Sequence, residues 1–180
     1  MNLPNKLSIA RAACIPVIVI LLYTADSTCR LIAGILFIFA CITDFLDGHI
    51  ARSRNLVTDF GKFIDPVADK LLVLTTMIML VHLRMLDAWT VILILSRELA
   101  VDGLRMVAVG QGKVIAAGPL GKWKTACQMV MIGVMLILNL SVYNSWPVLV
   151  LMIASVLLTV ISGVDYFIRN RAVLSGNQQD

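Results

Sequence analysis

Long apolar runs, broken at short intervals by clusters of polar and charged residues, set the pattern of this chain. A helix needs about 20 apolar residues to cross a hydrocarbon layer. On that measure six segments stand out, over roughly 9–23, 31–50, 63–81, 88–109, 126–140 and 147–168. The pattern predicts an all-α polytopic membrane protein of about six helices, although the first and fifth runs are short for a span. The links between runs are short as well. Residues 1–180 therefore read as a single membrane domain with no room for a separate soluble unit. The basic start (Lys6, Arg11) followed by an apolar run loosely fits a signal peptide. The A-x-A cleavage pattern is missing, and a retained first helix is expected.

Composition points the same way. The chain is 59% hydrophobic and 14% charged, with a mean hydropathy of +0.92. Soluble domains carry about 25% charged residues, so this chain lacks the polar surface to coat a water-facing globule. Orientation follows from the basic residues of the links. With the N-terminus in the cytoplasm, the inner side collects Lys6, Arg11, Arg52, Arg54, Lys62, Arg105, Lys113, Lys122, Lys124, Arg169 and Arg171. The outer side receives Arg30 and Arg84. Both termini are then cytoplasmic, and the net charge of +4 sits on one face. That charge serves topology alone or attracts anionic headgroups and phosphorylated substrates.

Cys14, Cys29, Cys41 and Cys127 lie in or beside apolar runs without metal-ligand spacing, so neither a disulfide nor zinc is expected. His49 and His82 are isolated. There is no internal repeat, and the tail "SGNQQD" is the one low-complexity stretch.

The stretch "DFLDGHIARSRNLVTDFGKFIDPVADK" carries the chemistry. Asp44 and Asp47 fall near the cytoplasmic end of the second segment, and Asp65 and Asp69 fall in the first turns of the third. Spacings of three and four residues place each pair on one helical face. A short link makes the two helices antiparallel partners, so the pairs can face each other. Four carboxylates together repel strongly and are costly at membrane depth. Protonation, pairing with Arg or Lys, or bound cations would relieve them. Lys70 stands about 100° round the helix from Asp69, which places it poorly for the task. Carboxylate oxygens suit Mg²⁺, Ca²⁺ and Mn²⁺, and two ions could share the four side chains. The alternative, helix-end and capping aspartates, suits Asp59 or Asp87 better than these four. Gly48 and Ala51 lie one and two turns from Asp44, and Gly61 precedes Asp65 by four residues. Gly within a helix costs roughly 1 kcal/mol against Ala. Close helix packing or a clear face for a flat ligand would account for Gly48, and Arg52 one turn beyond could reach a phosphate.

The run Asp44-x-x-Asp47-Gly48-x-x-Ala51-Arg52, with Gly61, Asp65 and Asp69 at their spacings, resembles the signature of the CDP-alcohol phosphatidyltransferase family without departure. "NLPNKLSIAR", "SRELAVDGLR" from Ser96 and "GKWKTACQ" from Gly121 are similar to the bacterial branch whose acceptor is glycerol 3-phosphate. The resemblance implies six transmembrane helices, a homodimer, and a site open to the cytoplasmic side of the bacterial inner membrane. It implies that Asp44, Asp47 and Asp65 ligate a Mg²⁺ or Mn²⁺ pair, with Asp69 at its edge and as general base. Gly48, Ala51 and Gly61 would make room for the cytidine of CDP-diacylglycerol, and Arg52 would hold a phosphate. Asn5 and Arg11 would lie near the nucleotide or headgroup pocket, on a short helix at the membrane surface; capping of the first helix by Asn5 or Ser8 is the plainer reading. Acceptor phosphate would fall to Arg97, Arg105, Lys122 and Lys124, with Arg11 nearby. Arg97 interrupts "VILILSREL", where a charge needs a partner, and a local pair with Glu98 or Asp102 would also explain it. Lys122 and Lys124 could instead be positive-inside anchors. Partners implied are the two substrates, membrane lipids and a second copy of the chain, without nucleic acid.

Two competing readings are open. Intramembrane Asp also mark ion-coupled transporters, but those carry inverted repeats and mid-membrane sites, which this chain lacks. The other keeps the chemistry and changes the acceptor to inositol phosphate, serine or phosphatidylglycerol.

Overall fold

The computed structural model describes residues 3–24, 26–53, 59–113, 115–116 and 118–174; the side chains of 3–8, 44–53, 59–65, 172 and 174 lie outside the description. Each apolar run becomes one helix: α1 (Leu3–Tyr23), α2 (Ser27–Ser53), α3 (Asp59–His82), α4 (Ala88–Gly110), α5 (Pro119–Ile137) and α6 (Trp146–Arg169). A single turn, α7 (Arg171–Leu174), follows. Among the described residues there is no strand.

The helices outgrow the apolar runs at the two places where the runs are short. Residues 3–8 extend α1, and Pro119 to Thr125 start α5 with about two more polar turns. At 1.5 Å per residue, the 21 residues of α1 and the 19 of α5 reach about 31 and 28 Å. The N-terminal surface helix and the Asn5 or Ser8 cap are therefore both replaced by one continuous helix starting at Leu3. Asp26 does cap α2, with Oδ2 accepting from the backbone N–H of Thr28 at 2.9 Å and of Cys29 at 3.2 Å. Those donors hold the Asp26 carboxyl below its ordinary range. Asp87 stands at the N-cap of α4 without a side-chain cap bond, so it does not act as the expected cap.

In space the order is α1, α2, α5, α6, α4, α3 and back to α1, a closed ring in which each helix packs on two neighbours. Contacts of α3 with α2 and α5 fill the middle. The larger core joins Ile18, Phe37, Leu72, Met77, Met131 and Leu136; a smaller one joins Val101, Leu104 and Tyr166 beside α7. Gly34 lets α2 close on α5, since a Cβ there would stand 2.9 Å from Leu136 Cβ and 3.3 Å from the Ile137 nitrogen.

The distribution of polarity is that of a lipid-facing bundle. Ile20, Phe39, Leu99, Met106 and Trp146 face outward, Trp146 with 77% of its surface open, while Arg11, Thr76, Lys124, Gln128, Ser155 and Thr159 are buried. A soluble protein buries the first set and exposes the second. Among the described residues α6 alone is long and apolar enough by itself to cross a membrane. The other helices carry most of the charges that build the site, and Asp165 of α6 adds one.

Candidate active site

Charged residues inside apolar helices require partners, and the ring supplies them in its interior. On α4, Glu98, Asp102 and Arg105 recur at helical spacing on one face. Glu98 is the hub. Lys124 of α5 donates to its Oε1, and Arg97 Nη1 donates to the same oxygen at 3.0 Å. Lys70 of α3 lies 4.0 Å from Oε2 and pairs with Asp102 as well. Three cations around one carboxylate offset the cost of placing it among apolar helices. The expected local pair of Arg97 with Glu98 is thus present, as part of a larger cluster.

The arginines also reach α6. Arg97 Nη2 donates to Ser162 Oγ at 3.1 Å. Arg105 Nε donates to Tyr166 Oη at 3.1 Å, and its guanidinium carbon lies 5.5 Å from the centre of the Tyr166 ring. Around these groups opens a cavity of about 600 Å³ between α4, α5 and α6. Arg97, Arg105, Lys122 and Lys124 all line it, together with Lys70; Glu98, Asp102 and Asp165 are its carboxylates. Four of the five residues expected near an acceptor phosphate, all but Arg11, therefore come together, with five cationic side chains against three anionic ones.

Asp69 sits in a smaller cavity of about 230 Å³ that shares Lys70, Glu98, Lys124, Thr125 and Met129 with the cationic one. Its carboxylate is 30% exposed and accepts a 2.8 Å bond from Nη1 of the buried Arg11. Arg11 is absent from the lining of the cationic cavity and reaches the adjoining one through Asp69. A third space, a groove of about 620 Å³ between α2 and α5, is apolar and includes Phe37, Ile38, Gly133 and Val134. Met129 lines all three.

Asp44, Asp47, Gly48, Ala51 and Arg52 lie in the last turns of α2, Gly61 and Asp65 in the first turns of α3, and Asn5 in α1. Their side chains are outside the described residues. Continuous helix through both aspartate pairs satisfies the spacing that puts each pair on one face. Among the described residues no group of three His, Cys, Asp or Glu gathers as a metal site. The small cavity sets the carboxylates of Asp69 and Glu98 beside the ammonium groups of Lys70 and Lys124; carboxylate oxygen is the donor a hard divalent cation takes, and of these two only Asp69 lies in the acidic run expected to supply it.

Several residues of the site carry no assignment from sequence. Glu98 had a signal, an acid beside a base within an apolar run. Ser162, Gly163 and Tyr166 had another: with Ser155 and Thr159 they repeat at helical spacing along a helix otherwise apolar enough to be a plain span.

An all-helical bundle with a DxxDG-type acidic pair on one helix, a second pair on the next, and a cation-lined interior defines a class of membrane transferase. The chain belongs to the CDP-alcohol phosphatidyltransferase family, whose pattern matches residues 1–161. It is 45% identical to the CDP-diacylglycerol–glycerol-3-phosphate 3-phosphatidyltransferase of Bacillus subtilis (strain 168), over 94% of this chain and 95% of that one. Identity is 42% to the protein of the same name from Rickettsia bellii (strain RML369-C), over 92% and 93%. A probable phosphatidylglycerophosphate synthase of Mycobacterium tuberculosis (strain ATCC 25618 / H37Rv) is 41% identical, over 99% and 86%.

Proposed function

We propose that this protein transfers the phosphatidyl group of CDP-diacylglycerol to glycerol 3-phosphate, giving phosphatidylglycerophosphate and CMP. The observation that carries the reading is the cavity where Arg97, Arg105, Lys122 and Lys124 meet beside Asp69. A phosphate dianion needs such a set of charge-assisted donors; serine or phosphatidylglycerol does not.

The chain acts as a single membrane domain over 1–180, with six spans and both termini cytoplasmic, in the bacterial inner membrane and as a homodimer. The exposed apolar girdle and the bias of Lys and Arg support the membrane setting. Asp44, Asp47, Asp65 and Asp69 would hold one or two Mg²⁺ or Mn²⁺ ions, which supply charge stabilisation for the diphosphate and the departing CMP. Gly48, Ala51 and Gly61 leave space for the cytidine, with Arg52 and Asn5 as its polar contacts. The acyl chains of the donor lie along the apolar groove, which Met129 connects to the polar cavities. Arg11 holds the Asp69 carboxylate in place. Asp69 accepts the proton of the acceptor hydroxyl as that oxygen bonds to the lipid-side phosphorus, while the bond from that phosphorus to the CMP oxygen breaks. Arg97, Arg105, Lys122 and Lys124 fix the acceptor by its phosphate, so the reaction proceeds by positioning and charge stabilisation in a single displacement.

The test is CMP release by the detergent-purified protein with CDP-diacylglycerol and Mg²⁺. Glycerol 3-phosphate, inositol phosphate, serine and phosphatidylglycerol are offered separately. Release is expected with glycerol 3-phosphate alone, abolished by EDTA, and lowered about 10²- to 10⁴-fold in kcat by Asp69→Asn. Release with another acceptor would keep the chemistry and overturn the substrate. A folded protein that releases no CMP with any acceptor would overturn both.

A further inference from the structure

The polar stripe of α6 falls into two parts. Ser155 and Thr159 face the helix interface and make interhelical bonds: Thr159 Oγ1 accepts from Gln128 at 3.3 Å, and Ser155 Oγ lies 3.3 Å from Cys127 Sγ. Neither lines the cationic cavity. Ser162 and Tyr166, one and two turns further on, line it, and each holds an arginine. Both fall just past the segment that matches the family pattern.

The hydrogen bonds have a fixed sense. Ser162 Oγ donates to the Thr159 carbonyl at 3.1 Å, so its lone pairs face outward and accept from Arg97. Arg97 is then gripped on both terminal nitrogens, by Ser162 and by Glu98. Gly163 makes room for its stem, because a Cβ there would stand 3.1 Å from Arg97 Cγ. Tyr166 Oη accepts from Arg105 Nε, which leaves the hydroxyl hydrogen free to point elsewhere, and the residue borders the cavity. An arginine has many rotamers, and fixing its fork in advance removes an ordering cost from binding.

We propose that Ser162 and Tyr166 of α6 are positioning residues that orient Arg97 and Arg105 and so set the affinity for the phosphate of the acceptor. The inference rests on the reading that this cavity receives the phosphate of glycerol 3-phosphate.

The experiment is steady-state kinetics of the purified full chain and of Tyr166→Phe and Ser162→Ala, with each substrate varied in turn. Tyr166→Phe keeps the ring under Arg105 and removes only the hydroxyl. It is expected to raise KM for glycerol 3-phosphate about tenfold, with KM for CDP-diacylglycerol within about twofold. Ser162→Ala is expected to act the same way through Arg97 and serves if the tyrosine variant does not fold. Combined with Arg105→Lys, Tyr166→Phe should add little, because both changes disturb one group. An unchanged KM for glycerol 3-phosphate in both variants, equal changes for both substrates, or full additivity with Arg105→Lys would each overturn the inference. A wild-type protein that releases CMP only with an acceptor lacking phosphate would overturn the substrate reading, and this inference with it. A wild-type protein active on glycerol 3-phosphate whose variants match it would overturn the inference alone.

Discussion

Two spaces of nearly equal size, about 620 and 600 Å³, lie against successive stretches of α5 and have opposite walls. Toward α2, the helix presents Val130, Gly133, Val134 and Ile137, and the groove is hydrocarbon throughout. Toward α4 and α6, it presents Lys122, Lys124 and Thr125, and the cavity is a field of charge. Met129 belongs to both and to the small cavity that holds Asp69. The contrast shows how one helix can serve a reaction between a lipid and a water-soluble ion. On the proposed reading, neither substrate enters the environment of the other, and Asp69 lies where the environments meet. It also explains why α5 needs a polar first turn and an apolar remainder, the feature that makes its apolar run short.

If the two sides are separate compartments, changes to one should spare the other. The largest effect is expected from Arg97→Ala. Glu98 keeps Lys124 and Lys70 as partners, so the hub survives and kcat/KM for glycerol 3-phosphate should fall about 100-fold. KM for CDP-diacylglycerol should stay put; an equal loss toward both substrates would dissolve the division. On the apolar side, a Cβ at Gly133 would meet Ile38 Cδ1 at 3.4 Å, an ordinary contact. A larger side chain protrudes into the groove. Gly133→Leu should raise KM for CDP-diacylglycerol about tenfold while leaving that for glycerol 3-phosphate unchanged, and the reverse pattern would refute the assignment of the groove. The smallest effect belongs to the packing that sets the spacing of α2 and α5. Gly34→Ala places a methyl 2.9 Å from Leu136 Cβ, an overpacking that costs about 1–3 kcal/mol. Thermal unfolding in detergent should show a lower midpoint, with both KM values near those of the parent protein.

Much of this architecture is legible in the order of residues alone, for physical reasons that also explain what is not. Apolar runs mark helices because a span must be apolar, so all six helices fall where the pattern puts them. Counting apolar residues stops where polarity starts, however, and residues 3–8 and 119–125 drop out of their helices for that reason. Asp69 and the four cations of the acceptor side stand out because each is expensive in its surroundings. Spacing along one helix says nothing of which neighbour a side chain meets, so the bond from Arg11 to Asp69 and the hub at Glu98 emerge only in space. The residues of α6 are hidden differently. Ser162 and Tyr166 are cheap enough in a span to pass as packing, and their role depends on arginines far back in the chain, with sequence separations of 65 and 61.

The closed ring has a consequence for how the protein is made. Spatial order runs α1, α2, α5, α6, α4, α3, so α6, made after the other five, is inserted between two that are already in place. Until then the wall that holds Arg97 and Arg105 does not exist, although every carboxylate of the acidic run has been synthesised. The nascent chain thus acquires its apolar groove with α5 and, on the proposed reading, its grip on phosphate only with α6. Biogenesis itself therefore delays catalysis until the bundle is complete.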